Sequence, residues 1–390
     1  MTVNYRFNNG GTSTDFDDAF IRKELFTQGG FWSWGYNGTG NLGNNASSNQ
    51  SSPVQTIAGG TNWKLVAGGI YHTAAIKTDG TLWVWGRNSE GQLGNNNYLD
   101  ESSPVQTVSS GTNWKSVAGG YFHITAIKTD GTLWLWGYNN YGQLGDGSSI
   151  VHRSSPIQTV SGGTNWKLVS GGFSHTAAIK TDGTLWLWGR NTYGELGAPT
   201  ATHSSSPVQT VAGGTNWKQA AGSGNFTAAI KTDGTLWTWG GNTQGQLGDN
   251  TSTGKSSPVQ TVASGTNWKQ VAAGIGGHTA AIKTDGTLWT WGANSIGQLG
   301  ANTTDDRSSP VQTVSGGTNW KQVAVGGSHT SAIKTDGTLW NWGDNIAGGL
   351  GTNDITHRSS PVQTVAGGTN WKLVASGSYR WVAAIREDFY

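Results

Sequence analysis

The chain has 390 residues, 24 basic and 22 acidic side chains, and a formal net charge of +2. Charged residues make up only 12%, which excludes the basic footprint of a nucleic-acid or anionic-membrane binder, while 22 tryptophans exclude disorder. No cysteine is present, so disulfides and thiolate zinc sites are excluded and the redox compartment stays open.

The N-terminus, Met1-Thr2-Val3-Asn4-Tyr5-Arg6-Phe7, has no apolar signal core, and no apolar run reaches membrane-spanning length. We therefore expect a chain made and folded in a cytoplasm, without membrane insertion. Residues 8–13 read as loop. Thr14-Asp15-Phe16-Asp17 resembles a capping box, and Phe16, Phe20, Ile21 and Leu25 follow at helical spacing. That pattern predicts a short amphipathic helix from Asp15 to about Leu25. Residues 1–28 form an arm outside the repeat, and its apolar stripe either docks on the chain's own propeller or binds a partner.

From Gly29 the chain repeats. Trp-x-Trp-Gly units end at Gly35, Gly86, Gly137, Gly189, Gly240, Gly292 and Gly343, in steps of 51 or 52 residues. Each period has an apolar run narrowing to small residues (Asn62–Gly69), a second run (Tyr71–Ile76), an Asp79-Gly80 turn and a third run (Thr81–Trp85). We read the turn as a two-residue type I′ hairpin. A variable loop then leads to a fourth strand, such as 51–57, opened by proline at an outer edge. Four short strands repeated seven times predict an all-β, seven-bladed propeller of four-stranded antiparallel blades over residues 29–390.

Trp83 and Trp85 share a strand face and should point at the neighbouring blade, while the residue between them faces away and varies freely. The chain enters at a third strand and leaves after a second. A closing blade is therefore composite, with two strands from 370–386 and two from 31–57. Ile385-Arg386-Glu387-Asp388 fills the place to which Leu25–Gln28 would align, so the arm should leave the blade near Gly29–Gly30.

Gly-x-x-His-Thr-x-Ala-Ile followed by Asp-Gly-x-Leu-Trp-x-Trp-Gly-x-Asn-x-x-Gly-Gln-Leu-Gly resembles the regulator of chromosome condensation repeat, over about residues 29–388. The resemblance implies a seven-bladed propeller without fixing its function. Nucleotide-exchange members act on a small GTPase through an acidic face and a wedge inserted in one blade. The even periods here leave no room for a wedge. Photoreceptor members rely on Gly-Trp-Arg-His-Thr motifs, and the corresponding positions here are Ile70, Tyr121, Phe173, Gly276 and Gly327. Phe16 to Phe26 running into repeats also resembles the start of bacteriophage virion proteins.

Repeated His72, His123, His175, His278 and His329 read as imidazoles that satisfy backbone groups at the first hairpin rather than as metal ligands or a proton sensor, since Phe226 and Trp381 replace them. Asp79 and its copies read as turn residues, and Lys64, Lys77 and their copies as solubilising charge. The glycine-rich stretches after Trp-Gly precede no helix and make poor phosphate loops. We expect no catalytic residue, cofactor or metal site. Asp305-Asp306-Arg307 reads as a solvated turn.

The variable loops are the candidate partner surface, gathered on one rim, with Tyr98, Leu99, Ile150, His152 and Ile355 as candidate contacts beside Phe16, Phe20, Ile21 and Leu25 of the arm. The function expected is non-enzymatic recognition by a phage virion component, such as a capsid decoration, tail or baseplate protein. Its partners would be other virion proteins or a host-surface receptor. The alternative is a cytoplasmic regulator binding a small GTPase or another signalling protein.

Overall fold

The turn chemistry of the repeat sets the fold of each period. In the computed structural model, residues 29–109, 111–198, 202–263 and 265–387 are described. The arm contacts expected at Phe16, Phe20, Ile21 and Leu25, and the helix from Asp15, lie outside them. No helix occurs among the described residues.

Blade 1 takes β3 (Trp63–Gly68), β4 (His72–Lys77), β5 (Leu82–Gly86) and β6 (Glu101–Gln106), paired in that order. Five more blades follow: β7 (Trp114–Gly119) to β10 (Arg153–Gln158), β11 (Trp166–Gly171) to β14 (Ser204–Gln209), β15 (Trp217–Gly222) to β18 (Lys255–Gln260), β19 (Trp268–Gly274) to β22 (Arg307–Gln312), and β23 (Trp320–Val325) to β26 (Arg358–Gln363). The closing blade is composite, as the sequence predicts. It joins β1 (Gly30–Gly35) and β2 (Gln50–Gln55) to β27 (Trp371–Ser376) and β28 (Trp381–Arg386) in the order β2-β1-β28-β27. Phe31 pairs with Ile385 and Trp34 with Val382. β27 packs on β3, which closes the ring. Gly29 bridges to Trp63, so the chain reaches the closing blade from the side of blade 1.

The first strands crowd one another near the axis. A Cβ on Gly119 would lie 2.6 Å from the Gly68 carbonyl of the preceding blade, which explains the Ala-Gly-Gly endings. Further out the blades diverge and tryptophan fills the space. Trp63, Trp83 and Trp85 all face the closing blade, against Phe31, Trp381 and Ile385. Trp63 and Trp85 meet edge to face at 6.1 Å. Burying an indole contributes roughly 4 kcal/mol of transfer free energy, so this layer dominates blade cohesion.

Three expectations need correction. Gly80 donates its N–H to the Lys77 carbonyl (3.0 Å), Lys77 donates to that of Thr81 (3.0 Å), and only Gly80 of the turn has positive φ (+80°). The loop therefore has three residues with one left-handed glycine; a type I′ turn would force Asp79 to positive φ too. Second, Pro53 does not open its strand but lies inside β2, where the pairing register shifts. An edge-strand bulge needs no donor there. Third, the residue between the tryptophans does not vary freely. All seven copies are buried, and the polar ones donate to the leucine carbonyl of their own loop: Ser33 to Leu42 (2.8 Å), Thr238 to Leu247 (2.7 Å), Thr290 to Leu299 (2.7 Å) and Asn341 to Leu350 (3.0 Å). The site accepts an apolar residue or a donor, because a buried polar group must be paired.

Candidate partner-binding face

Antiparallel order gives the disc two different faces. The turns from first to second strand, and the connections from third to fourth, emerge on one face, here called upper. The Asp-Gly hairpins emerge on the lower. The upper turns are stitched around the axis, with Ile70 N–H donating to Tyr121 O (3.2 Å), Tyr121 N–H to Gly172 O (3.0 Å) and Phe173 N–H to Ser223 O (2.7 Å). Whatever these turns carry is held on a rigid platform.

They carry different side chains on the two halves. The closing blade and blades 1–3 present Tyr379, Arg380, Tyr71, Tyr121, Phe122 and Phe173 in the first turn, and Tyr36, Arg87, Tyr138 and Arg190 after Trp-Gly. Blades 4–6 place Gly224-Asn225, Ile275-Gly276-Gly277 and Gly327-Ser328 in the turn, and Gly241, Ala293 and Asp344 after Trp-Gly. On the aromatic half, rings and guanidinium groups form a continuous chain of contacts. Tyr36, Tyr71 and Tyr379 form a triad with centroids 5.0–5.4 Å apart. Arg87 lies 5.8 Å from Tyr71 and 4.8 Å from Phe122, bridging this triad to the next group. Tyr121 meets Phe122 at 4.5 Å and stacks on Phe173 at 4.0 Å. Arg190 extends the patch from Phe173 (5.7 Å) to Tyr193 (4.9 Å).

Electrostatics follow from this crowding. Burial, then neighbouring tyrosines, raise the Tyr71 pKa, and burial also raises that of Tyr121, so both hydroxyls stay protonated donors. Arg190 Nε lies 3.2 Å from Glu195, whose buried carboxyl is pushed up by desolvation. Arg380 Nε sits 2.5 Å from Asp344. Arg87 Nε donates to Ser89 Oγ (2.8 Å), and no carboxylate of a described residue lies within ion-pair distance of it.

The residues expected from the sequence are split. Tyr98, Leu99, Ile150 and Ile355 are exposed, at 53, 71, 75 and 63% respectively. His152 is engaged: its Nδ1 accepts the Asn139 N–H (3.1 Å) and its ring stacks on Tyr138 at 5.0 Å. Asp100, His203, Asp306 and His357 close their own loops in the same way. The variable segments are also pinned to the next blade, as where Asn96 N–H donates to Ser154 O (2.8 Å). The structure does not bring their exposed tips together with the aromatic patch in any ring contact.

The repeated polar residues serve the scaffold. The five histidines are fully buried, and burial lowers the pKa to about 3 for His72, His123, His175 and His278 and to about 4 for His329. Among the described residues no three metal-ligating side chains cluster. Lys77 is no solubilising charge. Its ammonium lies 4.7 Å from the Trp63 ring and 4.5 Å from the Trp83 ring, and five copies repeat this. Each Gly-Gln-Leu-Gly loop offers its carbonyl to the next blade, Trp136 Nε1 donating to Gln92 O at 2.9 Å.

A family model described as the RCC1-like domain matches residues 24–278, and the regulator of chromosome condensation (RCC1) repeat matches 285–333. The chain belongs to the regulator of chromosome condensation repeat family. Among similar proteins, the ultraviolet-B receptor UVR8 of Arabidopsis thaliana is 32% identical over 77% of this chain and 69% of its own length. The mitochondrial RCC1 domain-containing protein RUG3 of the same plant is 28% identical over 85% of this chain and 80% of its own. Of solved structures, Prp20p of Saccharomyces cerevisiae superposes with a TM-score of 0.82 at 18% identity, covering 93% of this chain and 92% of that one. That likeness shows the RCC1-type fold; Prp20p itself is described as binding Gsp1p and histones.

Proposed function

We propose that this member of the family is a non-catalytic regulator that binds a protein partner, a small GTPase or another signalling protein, through the aromatic half of its upper face. One observation carries the reading. In the first-to-second-strand turns and directly after Trp-Gly, half-exposed aromatic and arginine side chains occur only in four adjacent blades, although the blades repeat the same strand plan. Aromatic and arginine side chains on a rigid, half-exposed platform are what protein interfaces concentrate. The GTPase class is favoured by the RCC1-type fold shared with Prp20p, for which Gsp1p binding is described. Periods of 51 or 52 residues leave no wedge, so binding rather than exchange is the activity expected. The virion reading draws no support from the relatives named above, which are eukaryotic, and the arm that motivated it lies outside the described residues.

The test is affinity purification of the tagged full chain from the cells that make it, with partners identified by mass spectrometry. Substituting Tyr71→Ala with Phe122→Ala should lose the partner, and Thr243→Ala with Ser295→Ala on the opposite half should keep it. The reverse pattern contradicts the assignment of the face. Recovery of capsid or tail proteins would restore the virion reading.

A further inference from the structure

We propose that Arg87 anchors a carboxylate of the partner, so that the segment seated on the aromatic half is an extended acidic peptide. Beside its acidic residue this peptide carries an aromatic or aliphatic side chain. The inference rests on the reading of the face given above and names the chemistry that the face selects.

Three arginines lie in the patch, and two are already satisfied. Arg190 is held by Glu195 at 3.2 Å and Arg380 by Asp344 at 2.5 Å, both carboxylates buried. Arg87 differs. Its Nε is occupied by Ser89 Oγ, and its plane is flanked by Tyr71 at 5.8 Å and Phe122 at 4.8 Å. Glu90, three residues on, faces Ser89 Oγ (3.5 Å) and His152 (3.7 Å) instead. A guanidinium fixed between two rings and held at Nε keeps its terminal N–H groups for a planar oxyanion. The flanking rings exclude water from that contact and offer apolar surface to the neighbouring residue of the same ligand.

The count of charges selects the ligand class. A nucleic-acid strand brings one phosphate per nucleotide and is held by several cations at once. Here one guanidinium is left without a carboxylate, which suits one carboxylate of a peptide. Arg87 is also the link between the tyrosine triad and the Tyr121–Phe173 stack, so a ligand anchored there reaches both.

The experiment pans a displayed library of random twelve-residue peptides on the full chain, then measures synthetic peptides of the enriched sequences by calorimetry. We expect Asp or Glu adjacent to Trp, Tyr, Phe or Leu. Arg87→Gln should weaken binding about 10- to 100-fold, the scale of a charge-assisted hydrogen bond. Replacing the peptide acid by its amide should weaken binding equally on the wild type and add nothing on Arg87→Gln. Unchanged melting of Arg87→Gln shows that the loss is not unfolding. Enriched peptides lacking acids, no enrichment, or full affinity on Arg87→Gln overturn the anchor. So does an oligothymidylate of the same length that binds in an Arg87-dependent way. If the anchor fails while Tyr71→Ala with Phe122→Ala still abolishes native partner capture, the face remains the binding surface and only its chemistry is wrong.

Discussion

His123 Nε2 lies 3.2 Å from Thr176 Oγ1 across the interface between blades 2 and 3. Thr176 itself donates to the Gln143 carbonyl at 2.8 Å, so its oxygen accepts and His123 carries its proton on Nε2. The same relay joins His175 to Thr227 (3.0 Å) and His278 to Thr330 (3.0 Å). It fails twice. Ile124 stands at the threonine position opposite His72, and Val382 at the one opposite His329, and both imidazoles are left without a partner at either nitrogen.

This difference makes a stability prediction. Val382→Thr is nearly isosteric and should stabilise the fold by up to about 1 kcal/mol by pairing His329. Thr330→Val should cost about 1–3 kcal/mol by leaving His278 unpaired in the same environment. Denaturant midpoints measure both. A destabilised Val382→Thr together with a stabilised Thr330→Val would sink the relay.

The buried histidines also set a pH dependence. Their folded pKa values lie near 3 to 4, depressed by burial, against 6.5 when unfolded. The unfolded chain therefore binds protons that the folded chain refuses. Their contribution is complete above pH 6.5 and is lost as pH falls towards 3, by about 1.4 kcal/mol per pH unit for each histidine. The hairpin aspartates, lowered chiefly by hydrogen bonds from threonine, act in the same direction below 3.8. We expect a steep fall in the denaturation midpoint between pH 7 and 5. His123→Phe, which installs the side chain that blade 4 already carries as Phe226, should reduce that slope by one proton. A flat profile would contradict neutral burial.

The junction between blade 6 and the closing blade is testable at one contact. Buried Asp344 of blade 6 accepts from Arg380 at 2.5 Å and from the Ile346 N–H at 3.0 Å, while the Arg380 carbonyl accepts from Tyr36 N–H at 2.9 Å. Asp344→Ala should cost about 2–3 kcal/mol by unpairing a charge-assisted bond at the seam. Removing residues 371–390 should abolish cooperative melting. An unchanged transition after that deletion would argue against composite closure.

Architecture was legible because it is written seven times. Asp79-Gly80-Thr81-Leu82-Trp83 recurs because Trp83 Nε1 donates to Thr81 Oγ1 (2.9 Å), which donates to Asp79 (2.6 Å), so each residue constrains the next. The composite blade followed from counting strands at the two ends. The face was not legible, because Tyr36, Tyr71 and Tyr379 come from three distant segments that only ring closure unites. The available signal was the pair of residues before each histidine, or the phenylalanine that replaces it in blade 4, large in Ile70-Tyr71 and Tyr121-Phe122 but small in Gly224-Asn225 and Gly276-Gly277. Loop variability drew attention to His152 instead, yet from blade to blade much of that variation merely swaps a histidine for an aspartate as acceptor for the N–H of the equivalent asparagine, Asn139 in blade 2 and Asn88 in blade 1.

The most direct measurement is hydroxyl-radical footprinting of the native complex against the free chain, read residue by residue. We predict protection of Tyr71, Tyr121, Phe122 and Tyr193 on binding, with Ile296 and Ile346 on the opposite half unchanged. Protection confined to that opposite half, or to Leu99, Ile150 and Ile355 at the rim, would contradict the aromatic half as the binding surface.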